Sequence, residues 1–306
     1  MSPKTKGICA IFLAAILWSS AGTAGKLLFE SAPPFVAAFH RFALASLIIL
    51  PFFLREKKKK GYVTSLLPLG VFNAGNILFY YSGLNLTSAN TAVILGTAVP
   101  LVTAILAPIV IKETVARGKI AGVIIGLLGA LLIVVLPVLH SGHGLNGNLL
   151  GNLLLVGSLL CWSFYILSSR KILSSGTHSA LSATAINLFT VAVASAIAAL
   201  VNRQALFPAA LSVPSYLGVL AYASVVMTIA TFFLFQWGVQ FVSASTASLK
   251  EYIQLAGGVL INAVVLGERL SFSYAVGTAL IVIGVLIATH SHLTKRRATA
   301  LFSQGE

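Results

Sequence analysis

FYYSGLNLTSANTAV at residues 79–93 aligns without a gap with LFQWGVQFVSASTAS at residues 234–248, at an offset of 155 residues. The same offset superposes one acidic and two glycine positions, namely Glu113 on Glu268, Gly122 on Gly277 and Gly129 on Gly284. Near the start of each half, AAILWSSAGTAGK at 14–26 pairs with GSLLCWSFYILSSR at 157–170, which sets Trp18 on Trp162. These matches indicate one unit that has been duplicated.

The composition around these blocks is that of an integral membrane protein. Of the 306 residues, 58% are hydrophobic and only 8% are charged, and the mean hydropathy is +0.98. A soluble domain carries about 25% charged residues. Apolar runs of about 18 to 24 residues, enough to cross roughly 30 Å of hydrocarbon, begin near residues 7, 33, 64, 89, 117, 149, 178, 214, 244 and 273. They predict ten transmembrane helices.

Ten spans divided between two copies give five spans in each copy. Because five is odd, the copies must cross the membrane in opposite senses, an arrangement typical of secondary transporters. The predicted fold is therefore an all-α membrane protein built from two inverted five-helix repeats. We expect the first repeat at 1–137, the second at 149–293 and a tail at 294–306.

The basic residues indicate how the chain is oriented. Placing the N-terminus in the cytoplasm puts fifteen of the 20 Lys and Arg residues on the cytoplasmic side, which is the bias that orients membrane proteins. We expect both termini in the cytoplasm, in a multi-pass protein of the inner (plasma) membrane. The net charge of +14 then needs no nucleic acid to explain it, since such a binder gathers its charge on a folded polar surface. The expected partners are the lipid bilayer and a small-molecule substrate, and a homodimer remains open.

Three blocks carry a resemblance to a known family. PPFVAAFHRFALASLIIL at 33–50, together with the stretches 84–134 and 264–289, resembles the EamA branch of the drug/metabolite transporter superfamily. The resemblance implies a ten-helix exporter or exchanger of small metabolites, amino acids among them, without ATP. This chain departs from the family in its ninth span. It has Gln254 and Leu255 where a Glu or Ser followed by Pro is common, and the charged pair Lys250 and Glu251 is not part of the pattern.

That charged pair lies in ASLKEYIQLAGG at 247–258. A charged side chain near the bilayer centre costs about 2.5–3.5 kcal/mol on insertion scales. On a helix, Gln254 and two glycines share the arc of Lys250 and Glu251, so this arc is expected to face another helix or a water-filled cavity. We interpret Lys250 as a site for a carboxylate or phosphate and Glu251 as a site for an ammonium. Alternatively they pair with each other or with Arg41 and only fix packing, or Lys250 extends to the interface.

Further candidates lie on other spans. A small-molecule site combines apolar walls with a few directed polar groups, and each of these side chains could instead serve helix packing. The candidates for substrate binding are Arg41 and His40 on the second span, Asn73, Asn76 and Tyr80 on one face of the third span, and Trp18, Trp162 and Tyr165 on the first spans of the two halves.

The charged residues at helix junctions are expected to be structural. Glu113 and Glu268 would cap the helices that follow them and interact with the positive ends of their dipoles. Lys26 and Arg170 occupy matching positions in the two halves and are expected to anchor the spans at the membrane interface.

These residues favour a secondary transporter that works by alternating access around a central cavity. Amino acids or related zwitterions are the first choice of substrate, and anionic metabolites such as sugar phosphates or nucleotide derivatives are the alternative. An intramembrane enzyme ranks lower, because it would need a cluster of acidic or His side chains, or a nucleophile with a base. No catalytic residue, metal or cofactor is predicted. Proton coupling would have to use Glu251 or His40.

Overall fold

A computed structural model describes residues 1–56, 62–86, 95–140, 149–207, 209–266 and 272–302. At several helical positions, including Lys26, Asn262 and residues 290–302, only the backbone is described. Within these ranges the chain is helical and has no strand, as predicted. The basic stretch at 57–60, the start of the fourth predicted span and Glu268 lie outside the described residues.

Helices begin within four residues of nine of the ten predicted starts, and the fourth predicted start, near residue 89, lies outside the described residues. The first half contains α1 (Pro3–Trp18), α2 (Ala21–Phe29), α3 (Pro34–Arg55), α4 (Leu67–Leu86), α5 (Val99–Val110) and α6 (Arg117–His140). The second half contains α7 (Leu149–Leu173), α8 (Ala180–Val201), α9 (Pro214–Ser224), a π-helical segment (Val225–Ala230), α10 (Thr231–Val239), α11 (Ala244–Ala247), α12 (Lys250–Leu266) and α13 (Phe272–Phe302). Single 3₁₀ turns, Thr64–Leu66 and Ala209–Ser212, precede α4 and α9.

Side-chain caps and prolines define several of these starts. The Ser179 hydroxyl accepts a hydrogen bond from the Ser182 backbone N–H at 3.0 Å before α8, and Ser243 does the same for Thr246 at 3.2 Å before α11. Pro214 opens α9, where a missing N–H costs nothing. After the single turn of α11 the chain makes a short turn and resumes as α12 at Lys250. This break places the charged pair at the start of a helix.

Five stretches of the described chain are helices long and apolar enough to cross a membrane, namely Pro34–Arg55, Leu149–Leu173, Ala180–Val201, Pro214–Val239 and Phe272–Thr289. A sixth is added if α1 and α2, which meet at a bend of 42°, form one span. Helix α5 is apolar but shorter. The structure thus supports an all-helical membrane protein, and the count of ten spans stays a prediction. The predicted tail at 294–306 begins inside α13, which continues to Phe302.

Helix contacts between the halves occur in reciprocal pairs. Helix α1 packs on α10, and their counterparts in the other half, α7 and α4, also pack on each other. Likewise α1 packs on α12, and α7 packs on α5. The corresponding helices α3 and α8 pack together, as do α6 and α13. A two-fold relation between the halves requires this pattern.

Four pairs of glycines bring the two halves into backbone contact. An added Cβ on Gly122 would collide with the Gly284 carbonyl oxygen, and one on Gly129 would collide with the Gly277 carbonyl oxygen. Position 122 corresponds to 277 and position 129 to 284, so the two-fold relation maps each of these two contacts onto the other. The other two contacts are Gly7 with Gly238 and Gly83 with Gly151. The two-fold relation maps these two contacts onto each other as well.

Candidate functional site

Lys250 lies where the two halves meet and is almost fully buried, with 2% of its surface exposed. Its Nζ is 2.6 Å from the Glu251 Oε1 and donates to the Gln254 Oε1 at 3.1 Å. Of the alternatives left open by the sequence, pairing between Lys250 and Glu251 is the one observed. The ion pair compensates the cost of burying each charge alone.

Two tryptophans, one from each half, enclose the Lys250 ammonium. Its Nζ is 4.3 Å from the ring centroid of Trp18 and 4.8 Å from that of Trp162. The two rings contact each other edge to face, with centroids 6.0 Å apart. Trp162 also donates its indole N–H to the Glu251 Oε1 at 2.6 Å. Lys250 therefore lies in an aromatic and acidic environment of the kind that binds ammonium groups.

Further aromatic rings extend this site toward α10. Tyr165 stacks on Trp162 with centroids 4.8 Å apart, and its hydroxyl accepts a hydrogen bond from the Gln236 Nε2 at 2.7 Å. Phe232 packs edge to face on Trp18, with centroids 5.1 Å apart. These side chains form a closely packed, mainly aromatic wall next to Trp18 and Trp162.

Arg41 joins the site through the π-helical segment. Its Nε donates to the Thr228 Oγ1 at 2.6 Å and its Nη2 donates to the Met227 carbonyl oxygen at 3.0 Å. The Trp18 indole donates to the same carbonyl at 3.1 Å. A π-helix widens the hydrogen-bonding pattern of the backbone and often marks a functional site. We call Lys250, Glu251, Gln254, Trp18, Trp162, Tyr165 and Arg41 the central group.

His40 lies apart from the central group, although it precedes Arg41 in the chain. Its Nδ1 is 2.8 Å from the Tyr216 hydroxyl, and its Nε2 is 2.6 Å from the Leu206 carbonyl oxygen. These contacts join α3 to α9 and to the loop before it. In this arrangement His40 has a structural role, because it holds α3 against α9 and against the loop before α9.

The candidates on α4 are mostly engaged in helix packing. Asn73 donates to the Asn187 Oδ1 at 3.0 Å, and Asn76 donates to the carbonyl and hydroxyl oxygens of Ser158 at 3.2 and 2.9 Å. Ser158 lies one turn before Trp162, so Asn76 is close to the central group without contacting it in the described residues. Tyr80 has its ring centroid 6.0 Å from that of Tyr81.

A pocket of about 430 Å³ opens elsewhere, between α3, α4 and α8. None of its lining residues belongs to the central group. Apart from Ser82 and Asn202 the lining is apolar, and it comprises Phe35, Leu78, Ala194, Ile197, Ala198 and Val201. Since Ile197 and Val201 are strongly exposed, this pocket faces the outside of the helix bundle.

The family model of the EamA-like transporter family matches the chain twice, over residues 5–135 and 149–289. The chain belongs to the EamA-like transporter family. The two matches correspond to the two halves that the offset of 155 residues identifies, and the central group draws residues from both. This EamA protein is therefore a member of a family of membrane transporters.

Relatives of this EamA protein carry transporter names. It is 27% identical over 266 residues to "Uncharacterized transporter YyaM" of Bacillus subtilis, covering 84% of each chain. It is 27% identical over 291 residues to "Uncharacterized inner membrane transporter YedA" of Escherichia coli K12, covering 92% of this chain and 89% of the relative. One crystal structure matches 92% of this chain and 98% of its own with a TM-score of 0.78 at 20% identity, a likeness of fold.

A second polar cluster, which we call the inter-repeat tie, consists of Glu113, Lys119, Arg170 and Ser243. Lys119 is fully buried and donates to the Ser243 hydroxyl. The Glu113 Oε2 is 3.6 Å from the Arg170 Nε and accepts from the Ala244 backbone N–H at 3.2 Å. The expectation that Glu113 caps the helix following it was wrong, because its carboxylate caps α11 of the other repeat.

Arg170 has a second set of contacts, and its expected role as a membrane anchor stays a prediction. Its Nη1 donates to the Gln240 and Val239 carbonyl oxygens at 2.6 and 3.2 Å, so it satisfies the C-terminal end of α10. The corresponding side chain of Lys26 lies outside the described residues.

Several residues of these polar clusters were not predicted from the sequence. The Met227 carbonyl could not be foreseen, since a π-helical segment has no sequence signature in a run of apolar residues. Lys119 is one of the fifteen cationic residues assigned to the cytoplasmic side, and its burial is explained by the hydroxyl groups of Ser243 and Ser245, which accept its hydrogen bonds. Asn187 could have been found, because it is the eighth residue of α8 as Arg41 is the eighth residue of α3.

Proposed function

We propose that this EamA protein is a secondary transporter that moves small polar metabolites, amino acids or related zwitterions in the first place, by alternating access. The observation that carries the proposal is the buried Lys250–Glu251 ion pair between Trp18 and Trp162. Two opposite charges side by side complement the two charges of a zwitterion. Because the two tryptophans come from different repeats, movement of one repeat against the other alters the site.

We further propose ten spans in two inverted repeats, at 1–137 and 149–293, with a tail at 294–306. The reciprocal helix contacts and the four glycine pairs support an inverted relation between the halves. The charge bias supports cytoplasmic termini, and the name of the relative YedA supports an inner (plasma) membrane location. Labelling of single cysteines at both ends, from each side of the membrane, tests this orientation. Labelling of the two ends from opposite sides would contradict it.

A zwitterion could replace the internal ion pair without leaving a charge unpaired. Its ammonium would take the place of the Lys250 Nζ beside Glu251 and the two indole rings, and a carboxylate would bind the released Lys250. The total number of ion pairs rises from one to two, which offsets part of the cost of desolvating the substrate. Glu251 already has a cationic partner in this state, so we propose a facilitator or exchanger rather than a proton antiporter.

Uptake into proteoliposomes tests the proposal. Purified protein should transport amino acids in preference to phosphorylated sugars. The double variant Lys250→Met/Glu251→Gln should remain folded, since removing both members of a buried pair is often neutral, whereas either single change should destabilise by about 3–5 kcal/mol. The double variant should also abolish uptake. Wild-type uptake rates in the folded double variant would overturn the proposed role of the pair.

Transport of an anionic metabolite is the second candidate. Arg41 favours it, because both of its described acceptors, the Thr228 hydroxyl and the Met227 carbonyl, are neutral. Preferential uptake of sugar phosphates by the same proteoliposomes would support this candidate over the first.

A further inference from the structure

The two-fold relation provides an internal comparison for Arg41. Arg41 and Asn187 are the eighth residues of the corresponding helices α3 and α8. Their partners, Thr228 and Asn73, are related by the offset of 155 residues. The contact of Arg41 with Thr228 and that of Asn187 with Asn73 are therefore equivalent contacts in the two halves.

In one half this contact is made without charge. Asn73 and Asn187 are both fully buried and share one amide hydrogen bond of 3.0 Å. In the other half a guanidinium donates to the Thr228 hydroxyl at 2.6 Å. A neutral pair thus suffices for the equivalent contact, and a partly buried cation within the candidate span Pro34–Arg55 adds a desolvation cost. The charge of Arg41 is not required for packing.

The charge is also unbalanced within the central group. Glu251 is paired with Lys250 at 2.6 Å. In the described ranges, no carboxylate lies within salt-bridge distance of Arg41, whose two acceptors are a hydroxyl and a carbonyl. With two cations and one anion, the central group carries one net positive charge. A bound molecule with one net negative charge would neutralise it.

Arg41 has capacity for an additional acceptor. A guanidinium has five N–H donors in a planar fork that fits a carboxylate with two parallel hydrogen bonds, and two of the five are used by described partners. A chain of short contacts links it to the ammonium site, since Arg41 and Trp18 share the Met227 carbonyl and the Trp18 ring contacts the Lys250 Nζ.

We infer that Arg41 is the subsite for a carboxylate of the substrate, and that the preferred substrate is an amino acid with an acidic side chain. Such a molecule satisfies all three charges of the central group. Its ammonium binds Glu251 and the tryptophan faces, one carboxylate binds Lys250 and the other binds Arg41. This inference rests on the proposed transport function and specifies its substrate class.

Binding and uptake with six compounds in four classes test the inference. The probes are aspartate and glutamate, alanine and leucine, propionate, and a sugar phosphate. Binding is followed by tryptophan fluorescence in a Trp237→Phe background, which leaves Trp18 and Trp162, the two tryptophans of the site, as reporters. In this background the acidic amino acids should bind at least about 10-fold more tightly than the neutral ones, as loss of a charge-assisted hydrogen bond predicts.

Arg41→Asn gives this position the residue found in the equivalent half and should fold as well as the parent. It should weaken binding of acidic amino acids by about 10-fold to 100-fold and leave that of neutral amino acids almost unchanged. Arg41→Lys keeps the charge but lacks the planar set of N–H donors. Its affinity for acidic amino acids should lie between that of the parent and that of Arg41→Asn. Asn187→Ser serves as the matched control, because it changes the equivalent contact outside the central group and should leave the preference for acidic substrates intact.

Equal affinity for acidic and neutral amino acids in the parent would overturn the inference, whether or not the Arg41 variants fold. An unchanged preference in folded Arg41→Asn would also overturn it. Both results leave the proposed amino-acid transport standing. Failure of the protein to transport any of the four amino acids would instead overturn the proposed amino-acid transport, and the inference with it.

Discussion

At the residue scale, the position of Lys250 is explained by four neighbours acting together. The carboxylate of Glu251 neutralises it, the amide of Gln254 accepts its hydrogen bond, and two indole faces take the place of water. Each cation–π contact in a desolvated setting contributes about 2 kcal/mol. These contacts together offset much of the cost that a lone ammonium would have at membrane depth.

The two tryptophans should differ in their energetic roles. The Trp162 indole donates to a carboxylate, whereas the Trp18 indole donates to a backbone carbonyl. We expect Trp162→Phe to lower the free energy of unfolding by about 1.5–3 kcal/mol and Trp18→Phe by about 0.5–1.5 kcal/mol through the lost hydrogen bonds. Unfolding in mixed micelles measures both. In combination with Glu251→Gln, Trp162→Phe should show a smaller effect, because its partner charge is already gone, and equal effects of the two tryptophan changes would contradict this difference.

The role of a site residue could be predicted from the sequence only where its partners could also be recognised there. The charged pair and the paired tryptophans stood out, because charges and repeated aromatic positions are rare in an apolar chain. The helical wheel placed Lys250 and Glu251 about 100° apart, and their direct contact depends on the flexible stem of Lys250. His40 adjoins Arg41 in the chain, yet successive side chains on a helix point in different directions, so the two have separate partners.

At the element scale, the packing of α6 against α13 depends on the absence of side chains. A Cβ on Gly122 would meet the Gly284 carbonyl oxygen and the Ala288 backbone, neither of which can move without shifting the whole helix. Polar backbone contact and close approach between glycine surfaces are major sources of helix association in membranes, where lipid removes the hydrophobic driving force.

Gly122→Ala should therefore destabilise the protein by about 1–3 kcal/mol, the usual cost of overpacking. Gly218→Ala is the matched control, because Gly218 lies in α9 and an added Cβ there meets no atom within 4 Å. Removal of a glycine from a helix interior should stabilise by about 0.5–1 kcal/mol. Thermal unfolding in detergent, followed by the loss of monodisperse protein, measures both changes. A Gly122 variant as stable as the Gly218 variant would rule out tight packing at this contact.

Helix starts were the best predicted feature of the elements, because prolines, serine caps and the ends of apolar runs mark them directly. The contact of Gly122 with Gly284 was not foreseen, although both glycines were identified as repeated positions. An alignment of the halves shows which residues are equivalent. It does not show that each packs against the counterpart of the other, which follows only once the two-fold arrangement is known.

At the scale of the whole molecule, the two repeats are interleaved rather than placed side by side. All four glycine contacts and the inter-repeat tie connect residues of the first half to residues of the second. Each repeat consequently presents its close-packing surfaces to the other. Relative movement of the repeats must break contacts of the tie, since Glu113 and Lys119 belong to one half and Arg170 and Ser243 to the other.

Separate halves should therefore assemble when they are made together. Co-expression of residues 1–140 and 149–306 as two chains, with an affinity tag on one, should recover both in a single complex that retains transport. Either half alone should aggregate or be degraded, because its glycine surfaces lack their partners. Isolation of one half as a folded, monodisperse species would show that the repeats are independent domains.

The crossed glycine contacts also have a consequence for biosynthesis. The first half is inserted into the bilayer before the glycines that it contacts in the second half have been synthesised. Until then the glycine surfaces of the first half contact lipid or the insertion machinery. The glycines of the first half are Gly7, Gly83, Gly122 and Gly129, and their partners are Gly238, Gly151, Gly284 and Gly277. Neither half can reach its final packing before the last helix has been inserted. Folding of this protein is thus completed late and in a concerted step. A quality-control protease that acts during translation would encounter the first half while its packing surfaces still lack their partners.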